Sequence, residues 1–356
     1  MRRKGLSSAA VSLMEDAHRA STQSVYKCHW RRWSQYCRDK GLDPLSSSRT
    51  QLANHLAYLG VEKRLSASAL RVRFASVNTT RRQLGLDPIP GTFSSCIIRA
   101  IENRAAKNPF RPPAWDLFLV LAYLRSSEFE PLEDASLVNL TRKTLFLVAV
   151  ASAKRASELH ALSGLPQDIR FSRGSVSLRF ITGFLLKNQR PGDPSPGVSF
   201  QSLASAGLDG DDLLNCPVRA LQIYLRRTQP FRGSRVRLFL STNVAYGKDI
   251  VKSTIARWVA VVIRRAYFWA AQNKRGGVAP NFPCMAARAH EARAWATTLA
   301  VKHTVDMGAV MDAAYWRSPD VFIDHYLRDL SSIRQDGVYS LTPCVAARQV
   351  LSKQSC

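Results

Sequence analysis

Four side chains near the end of the chain, His290, Arg293, Trp316 and Tyr326, are of the types that attack of a phenol on a phosphodiester requires. His290 and Arg293 stand at i and i+3 in a stretch patterned as a helix from about Ala286 to His303, so both reach one small anion from the same face. A shorter helix, about Met307 to Trp316, ends on the indole. A last helix opens at Ser318-Pro319-Asp320, with a capping serine, a proline at the first helical position and an acid in the first turn, and presents Tyr326. A phosphodiester under attack becomes a crowded, doubly charged, five-coordinate species that needs fixed positive donors at its non-bridging oxygens. Arginine supplies a planar fork that keeps its charge at any working pH. The tyrosine, with a free pKa of about 10, must shed its proton as it attacks. The leaving 5′ oxygen must gain one. An indole N–H only donates, so Trp316 can hold a phosphate oxygen or pack the site but cannot shuttle protons.

The elements upstream must hold a polyanion against these groups, and the composition suits that task. The 356 residues carry 51 Lys+Arg against 26 Asp+Glu, a formal charge of +25 spread from Arg2 to Lys353. With 46% hydrophobic residues the chain folds rather than remaining a basic tail, and a folded, diffusely basic protein points to nucleic acid. Seven scattered cysteines, with no Cys-x-x-Cys pair, argue against a zinc module or a disulfide framework. No apolar run approaches the roughly 18 residues that span a bilayer, so no membrane role is expected. The start, Met1-Arg2-Arg3-Lys4-Gly5, lacks the apolar core of a signal peptide, which points to an intracellular and, in a nucleated cell, nuclear protein.

The first hundred or so residues read as helices only. Tyr26, Trp30, Trp33 and Cys37 make one apolar face, closed by Gly41 and Pro44. A second helix from near Ser48 turns Leu52, Leu56 and Leu59 inward. A third from Ser66 turns in Leu70, Phe74 and Val77 and leaves Arg71, Arg73, Arg81 and Arg82 for DNA backbone or groove contact. A fourth, about Ser94 to Lys107, holds Ile97, Ile98 and Ile101. Asn108-Pro109-Phe110-Arg111-Pro112-Pro113 breaks the pattern as a linker. Helices follow at Trp115 to Arg125 and Leu137 to Val150. Short strands then come at Asp168 to Phe171, Ser175 to Ile181 and Pro196 to Phe200, with Arg173-Gly174 as a hairpin turn. Residues 188 to 214 read as a long surface loop. Helices resume at Pro217 to Arg227 and Ser253 to Ala271. The fold class expected is mainly α with a small antiparallel β-sheet.

Ser152-Ala153-Lys154-Arg155-Ala156-Ser157-Glu158 resembles the tyrosine recombinase (phage integrase) family, whose first catalytic arginine opens a helix with an acid three residues on. Arg155 and Glu158 match that pattern, and His290-Glu291-Ala292-Arg293 matches the family's His-x-x-Arg box. Trp316 matches its His-or-Trp position, one residue further from the tyrosine than in many members. Tyr326 matches the nucleophile and Lys187 the hairpin lysine. Phe129-Glu130-Pro131-Leu132, Cys216-Pro217-Val218-Arg219-Ala220-Leu221 and Tyr326-Leu327-Arg328-Asp329 look like the recombinases of DIRS-like and Ngaro-like retrotransposons of animals.

The resemblance implies a DNA integrase in which Arg155 and Arg293 hold the phosphate, His290 and Lys187 manage the protons, and Glu158 orients a basic group from behind. It implies a core-binding domain over 1–107, a linker over 108–114 and a catalytic domain over 115–330; the tail over 331–356, with its Leu341 to Val350 segment, is separately expected to dock on a neighbouring protomer. The two domains would form a C-shaped clamp on double-stranded DNA, four protomers acting through a Holliday junction. The covalent phosphotyrosine stores the bond energy, so neither metal, nucleotide nor other cofactor is implied. Asp320 and Asp324 read as helix-end and i,i+4 partners, the latter for Arg328, rather than as metal ligands. A type IB topoisomerase and a DNA-binding protein whose catalysis has lapsed are the alternatives.

Overall fold

Trp33 and Cys37, four residues apart on the first amphipathic stretch, are both fully buried, on a helix α1 that spans Ala20–Asp39. The coordinates are a computed structural model that describes residues 7–9, 13, 19–105, 113–187, 189, 192–193, 197–242, 249–273, 289–302, 306–316 and 318–328. The basic start Arg2 to Lys4, linker residues 108–112 and the tail 331–356 lie outside the described residues. The chain divides into two compact units, Met1–Asn108 and Pro109–Cys356.

In the first unit, α2 (Arg49–Val61) begins at Ser48, whose hydroxyl accepts the Gln51 N–H while the Gln51 side chain accepts the Ser48 N–H. This reciprocal cap satisfies two donors that a helix start leaves free. Ser66 caps α3 (Ala67–Gln83) in the same position, and α4 (Thr92–Arg104) follows. α1 packs on α3 and α2 on α4, around Trp33, Leu52, Leu56, Leu70, Val77 and Ile98.

The four arginines expected on the DNA-facing surface of α3 have separate fates. Arg81 is buried, its Nε donating to the Asp87 carbonyl at 2.9 Å and Nη1 to the Leu45 carbonyl at 2.7 Å. It is therefore a staple between α3 and two loops, correcting its reading as a surface cation. Arg71 pairs with Glu102 at 2.5 Å, and Arg73 donates to the His29 ring. Arg82 is exposed and, among the described residues, has no hydrogen bond or ion pair on its side chain.

In the second unit α5 (Leu117–Tyr123) starts at Asp116, whose carboxylate accepts the Phe118 and Leu119 N–H groups. The central element is α6 (Leu137–Ser152), buried nearly all round from Leu140 onward. It touches α8 (Pro217–Arg232), α9 (Lys252–Gln272), α10 (Ala289–Lys302) and strand β3 (Val198–Gln201). One buried ion cluster pins this core. Lys143, fully buried, donates to Glu130 Oε1 at 2.5 Å, and Arg219 forks onto the same carboxylate at 2.9 and 2.8 Å.

β1 (Ile169–Ser172), β2 (Ser175–Leu178) and β3 form an antiparallel sheet in sequence order, with Ser172 opposite Ser175 across the turn. Gly174 closes that turn at φ +72°, and a Cβ there would fall 1.6 Å from Ser205 Oγ, so only glycine fits. The segment read as a surface loop after residue 188 is more built than expected. It holds 3₁₀ turns at Ala204–Ala206 and Gly210–Asn215, and Leu203 and Leu208 enter the core. The hydrophobic effect of those two leucines organises a stretch whose serines and glycines read as unstructured. The fold is mostly helical with one small antiparallel sheet. Among the described residues no helix is long and apolar enough to cross a membrane.

Candidate active site

α6 ends at Ser152, and Ala153 takes a left-handed conformation at φ 50°. That turn redirects the chain so that Arg155, in extended backbone, becomes the N-cap of the one-turn helix α7 (Ala156–His160). Glu158, three residues on and 2% exposed, accepts the Arg155 backbone N–H on Oε2 at 2.9 Å and the Arg155 Nη1 on Oε1 at 2.7 Å. Its Oε2 also accepts from Arg293 Nη1 at 3.3 Å. One carboxylate thus joins two guanidiniums from distant parts of the chain. Burial opposes its charge, but Arg293, Arg155 and Lys154 outweigh that and hold the Glu158 pKa below the usual carboxylate range.

Arg293 lies on α10 and is 1% exposed. Its Nη2 donates to the Ala314 carbonyl at the end of α11 (Met307–Ala314). Its Cζ sits 4.7 Å from the Trp316 ring centroid and 5.3 Å from that of Tyr326. Burial, countered by Glu158, lowers its pKa to about 10, which leaves it protonated at neutrality. Arg155 is shifted upward: burial works against its charge, and Glu158 followed by Tyr326 overcomes it.

The indole stands beyond the helix expected to contain it. α11 stops at Ala314, and Tyr315, left-handed at φ 54°, swings Trp316 inward to 5% exposure. Tyr326 follows α12 (Pro319–His325) and is 4% exposed. Its ring lies between His290, at 4.7 Å, and Trp316, at 4.6 Å between centroids. The pKa of His290 is lowered, first by partial burial and then by the Arg293 charge, with Glu291 opposing. At neutral pH its imidazole is free to take a proton.

Arg155, Glu158, His290, Arg293, Trp316 and Tyr326 are therefore one cluster. Two donors in it, Arg293 Nε and Trp316 Nε1, are buried without a hydrogen-bond partner. Other single donors in the core are likewise without a partner, as at Trp33 Nε1 and Arg232 Nε. What distinguishes this pair is its position beside a second guanidinium and a phenol. An oxyanion is the ligand that such donors complement. Lys187 is not brought into the cluster: it is exposed in the segment after β2, with no hydrogen bond or ion pair among the described residues. Among the described residues no group of His, Cys, Asp or Glu is arranged to hold a metal ion.

Reading by motif missed the groups that brace this cluster. Thr298, Glu291 and Arg328 hold the Tyr326 segment, and the Arg328 fork is spent on Glu291 at 2.8 and 3.0 Å. The side chain of Asp324, its expected partner, lies outside the described residues. Glu291 and Arg328 are too far apart in sequence for any helical periodicity to pair them.

No protein-family model matches the sequence, and no curated protein matches it. Among solved structures, the chain is similar to a XerA recombinase, with 14% identity, 97% of each chain covered and a TM-score of 0.38. It is also similar to the XerH site-specific recombinase in a post-cleavage complex with its palindromic difH substrate, at 16% identity over 81% of this chain and 68% of that one, TM-score 0.47. An integrase from mycobacterium phage Brujita gives 13% identity over 93% of each chain and a TM-score of 0.32. At such identities function has to be read from the side chains rather than from the likeness.

Proposed function

We propose that the chain is a tyrosine recombinase that cleaves and rejoins DNA strands through a 3′-phosphotyrosine, in the integration of a mobile element of the DIRS-like or Ngaro-like kind. The observation that carries this reading is the Glu158-bridged pair of guanidiniums beside the Tyr326 ring. Arg155 and Arg293 neutralise the non-bridging oxygens of one phosphate, and Trp316 Nε1 donates to the same group. Tyr326 Oη attacks phosphorus as neutral His290 accepts its proton. The bond to the 5′ oxygen breaks, and Lys187 protonates the leaving group once bound DNA draws its segment in. The 5′-OH of a partner strand then reverses the step. Neither metal nor nucleotide enters the scheme.

The basic helical unit over 1–107 contributes DNA backbone contacts through Arg82 and, by exchange of their present partners, Arg71 and Arg73. Four such chains act on two duplexes through a Holliday junction, the tail 331–356 joining neighbours, in the nucleus. The test is a duplex nicked near the scissile phosphate, so that the cleaved fragment diffuses away. Covalent DNA–protein product lost in Tyr326→Phe supports the reading, and its absence in the unaltered protein rejects it. Relaxation of supercoils without joining of two sites would assign the chain to topoisomerase-like chemistry instead.

A further inference from the structure

Tyr326 is gripped on its C-terminal side by groups that strand cleavage itself does not use. The Thr298 hydroxyl on α10 donates to the Tyr326 carbonyl at 3.1 Å and accepts the Arg328 N–H at 3.1 Å. A hydroxyl can fill both roles at once. The Arg328 side chain also returns to α10, its Nε and Nη2 donating to Glu291 Oε2 and Oε1 at 3.0 and 2.8 Å. Its Nη1 donates to the carbonyls of His325, which the end of α12 leaves without a helical partner, and of Leu327 just beyond, at 3.1 and 3.0 Å. Side-chain exposures of 7% for Arg328 and 15% for Glu291 separate this fork from a solvated surface pair. Between Glu291 and Thr298 the fully buried Ala294 packs in the same cluster as Tyr326, and its small side chain lets the segment approach α10.

We propose that Glu291, Thr298 and Arg328 form a clasp of positioning residues that fixes the backbone of Tyr326 to α10, the helix that also carries His290 and Arg293. The proposal rests on the reading of Tyr326 as the nucleophile. Without the clasp, the backbone after His325 is held only by the last turn of a seven-residue helix and by the packing of the Tyr326 ring. With it, the phenol, its proton acceptor and one guanidinium share a single rigid frame. Misplacing a reacting atom by about 1 Å costs roughly 100-fold in rate, so the clasp governs cleavage rather than DNA binding.

The experiment compares full-length Glu291→Gln, Arg328→Gln, their double variant, Thr298→Val and Thr298→Ser on the nicked duplex. Single-turnover covalent capture and non-covalent DNA affinity are measured separately, and amide hydrogen exchange is followed at Arg328. Glu291→Gln, Arg328→Gln and Thr298→Val are expected to slow capture by about 10- to 100-fold with affinity unchanged, while Thr298→Ser keeps the original rate. The double variant should lose no more than either single one, because both break the same fork. Exchange at the Arg328 amide should quicken in Glu291→Gln. Capture at the original rate in these variants overturns the clasp, as do losses that multiply in the double variant or a parallel loss of affinity. Unaltered protein that captures no DNA overturns the strand-cleavage reading and with it the clasp's role. Slow Arg328 exchange in that case shows that the contacts exist without the chemistry.

Discussion

Under the proposed chemistry Glu158 has two jobs that pull in opposite directions. It would keep Arg155 and Arg293 from repelling each other before a phosphate binds, and would have to leave them free to act when one arrives. Glu158→Gln leaves two guanidiniums in a mostly buried site with no compensating charge, which typically costs about 3–5 kcal/mol. Thermal unfolding of that variant should therefore come earlier, and millimolar inorganic phosphate should recover part of the loss. The sign with pH follows from the lowered carboxylate pKa. The contribution of Glu158 is full above the unfolded value of about 4.3 and is lost as pH falls through the lower folded value, so Glu158→Gln should flatten acid unfolding. His290 gives a second pH test. Because burial and Arg293 lower its pKa, the base form persists below the ordinary value of 6.5, and cleavage should hold constant from neutrality to below that value before falling. Single-turnover rates against pH read this, with the acidic limb absent in His290→Ala. That Arg155, Glu158, His290, Arg293, Trp316 and Tyr326 lie together was legible in the sequence from their types and order. The Glu291–Arg328 fork was not, since a bond from a helix to the segment beyond another leaves no mark on helical periodicity.

At the level of elements, two of the three non-glycine residues with positive φ among those described, Ala153 and Tyr315, lie just before Arg155 and Trp316. In each case a left-handed residue ends a helix and redirects the chain, so that Arg155 two residues on, or Trp316 next in line, joins the cluster, and strain of this kind collects where geometry matters. Ala153→Val adds a β-branch to a left-handed position and should lose about 1–2 kcal/mol, whereas Ala153→Gly should keep or slightly raise stability. Denaturant midpoints of the two variants decide this. Helix starts were plain in advance at Ser48, Ser66 and Ser318-Pro319, because capping is a local exchange between a side chain and its own first turn. Helix ends were less plain. α11 stops before Trp316 because of Tyr315, a residue type that gives no local warning of a left-handed turn. The stretch after residue 188 misled for a related reason: its serines and glycines conceal Leu203 and Leu208, whose burial is decided by the core they meet.

For the molecule as a whole, a charge of +25 predicts that the proposed binding to DNA is a salt-governed equilibrium in which each neutralised phosphate contributes about 0.9 to the slope of log affinity against log salt. Arg81 and Arg82, adjacent in sequence, should separate cleanly in such a titration. Arg82→Ala should weaken binding and reduce the slope by about one, with unfolding unchanged. Arg81→Ala should instead lower the unfolding midpoint, because it strands the Asp87 and Leu45 carbonyls. Net charge suggests a polyanionic partner but does not say which arginine is free to meet one, since that depends on contacts made across the unit. If Arg155 and Arg293 serve one phosphate in front of Tyr326, replacing a non-bridging oxygen of the scissile phosphate with a methyl group removes the charge they would neutralise. Arg155→Ala and Arg293→Ala, both expected to be inactive on the ordinary phosphodiester, should then regain covalent capture through Tyr326 on the methylphosphonate. Failure of both variants to recover, with unaltered protein capturing the ordinary substrate, would contradict that shared role.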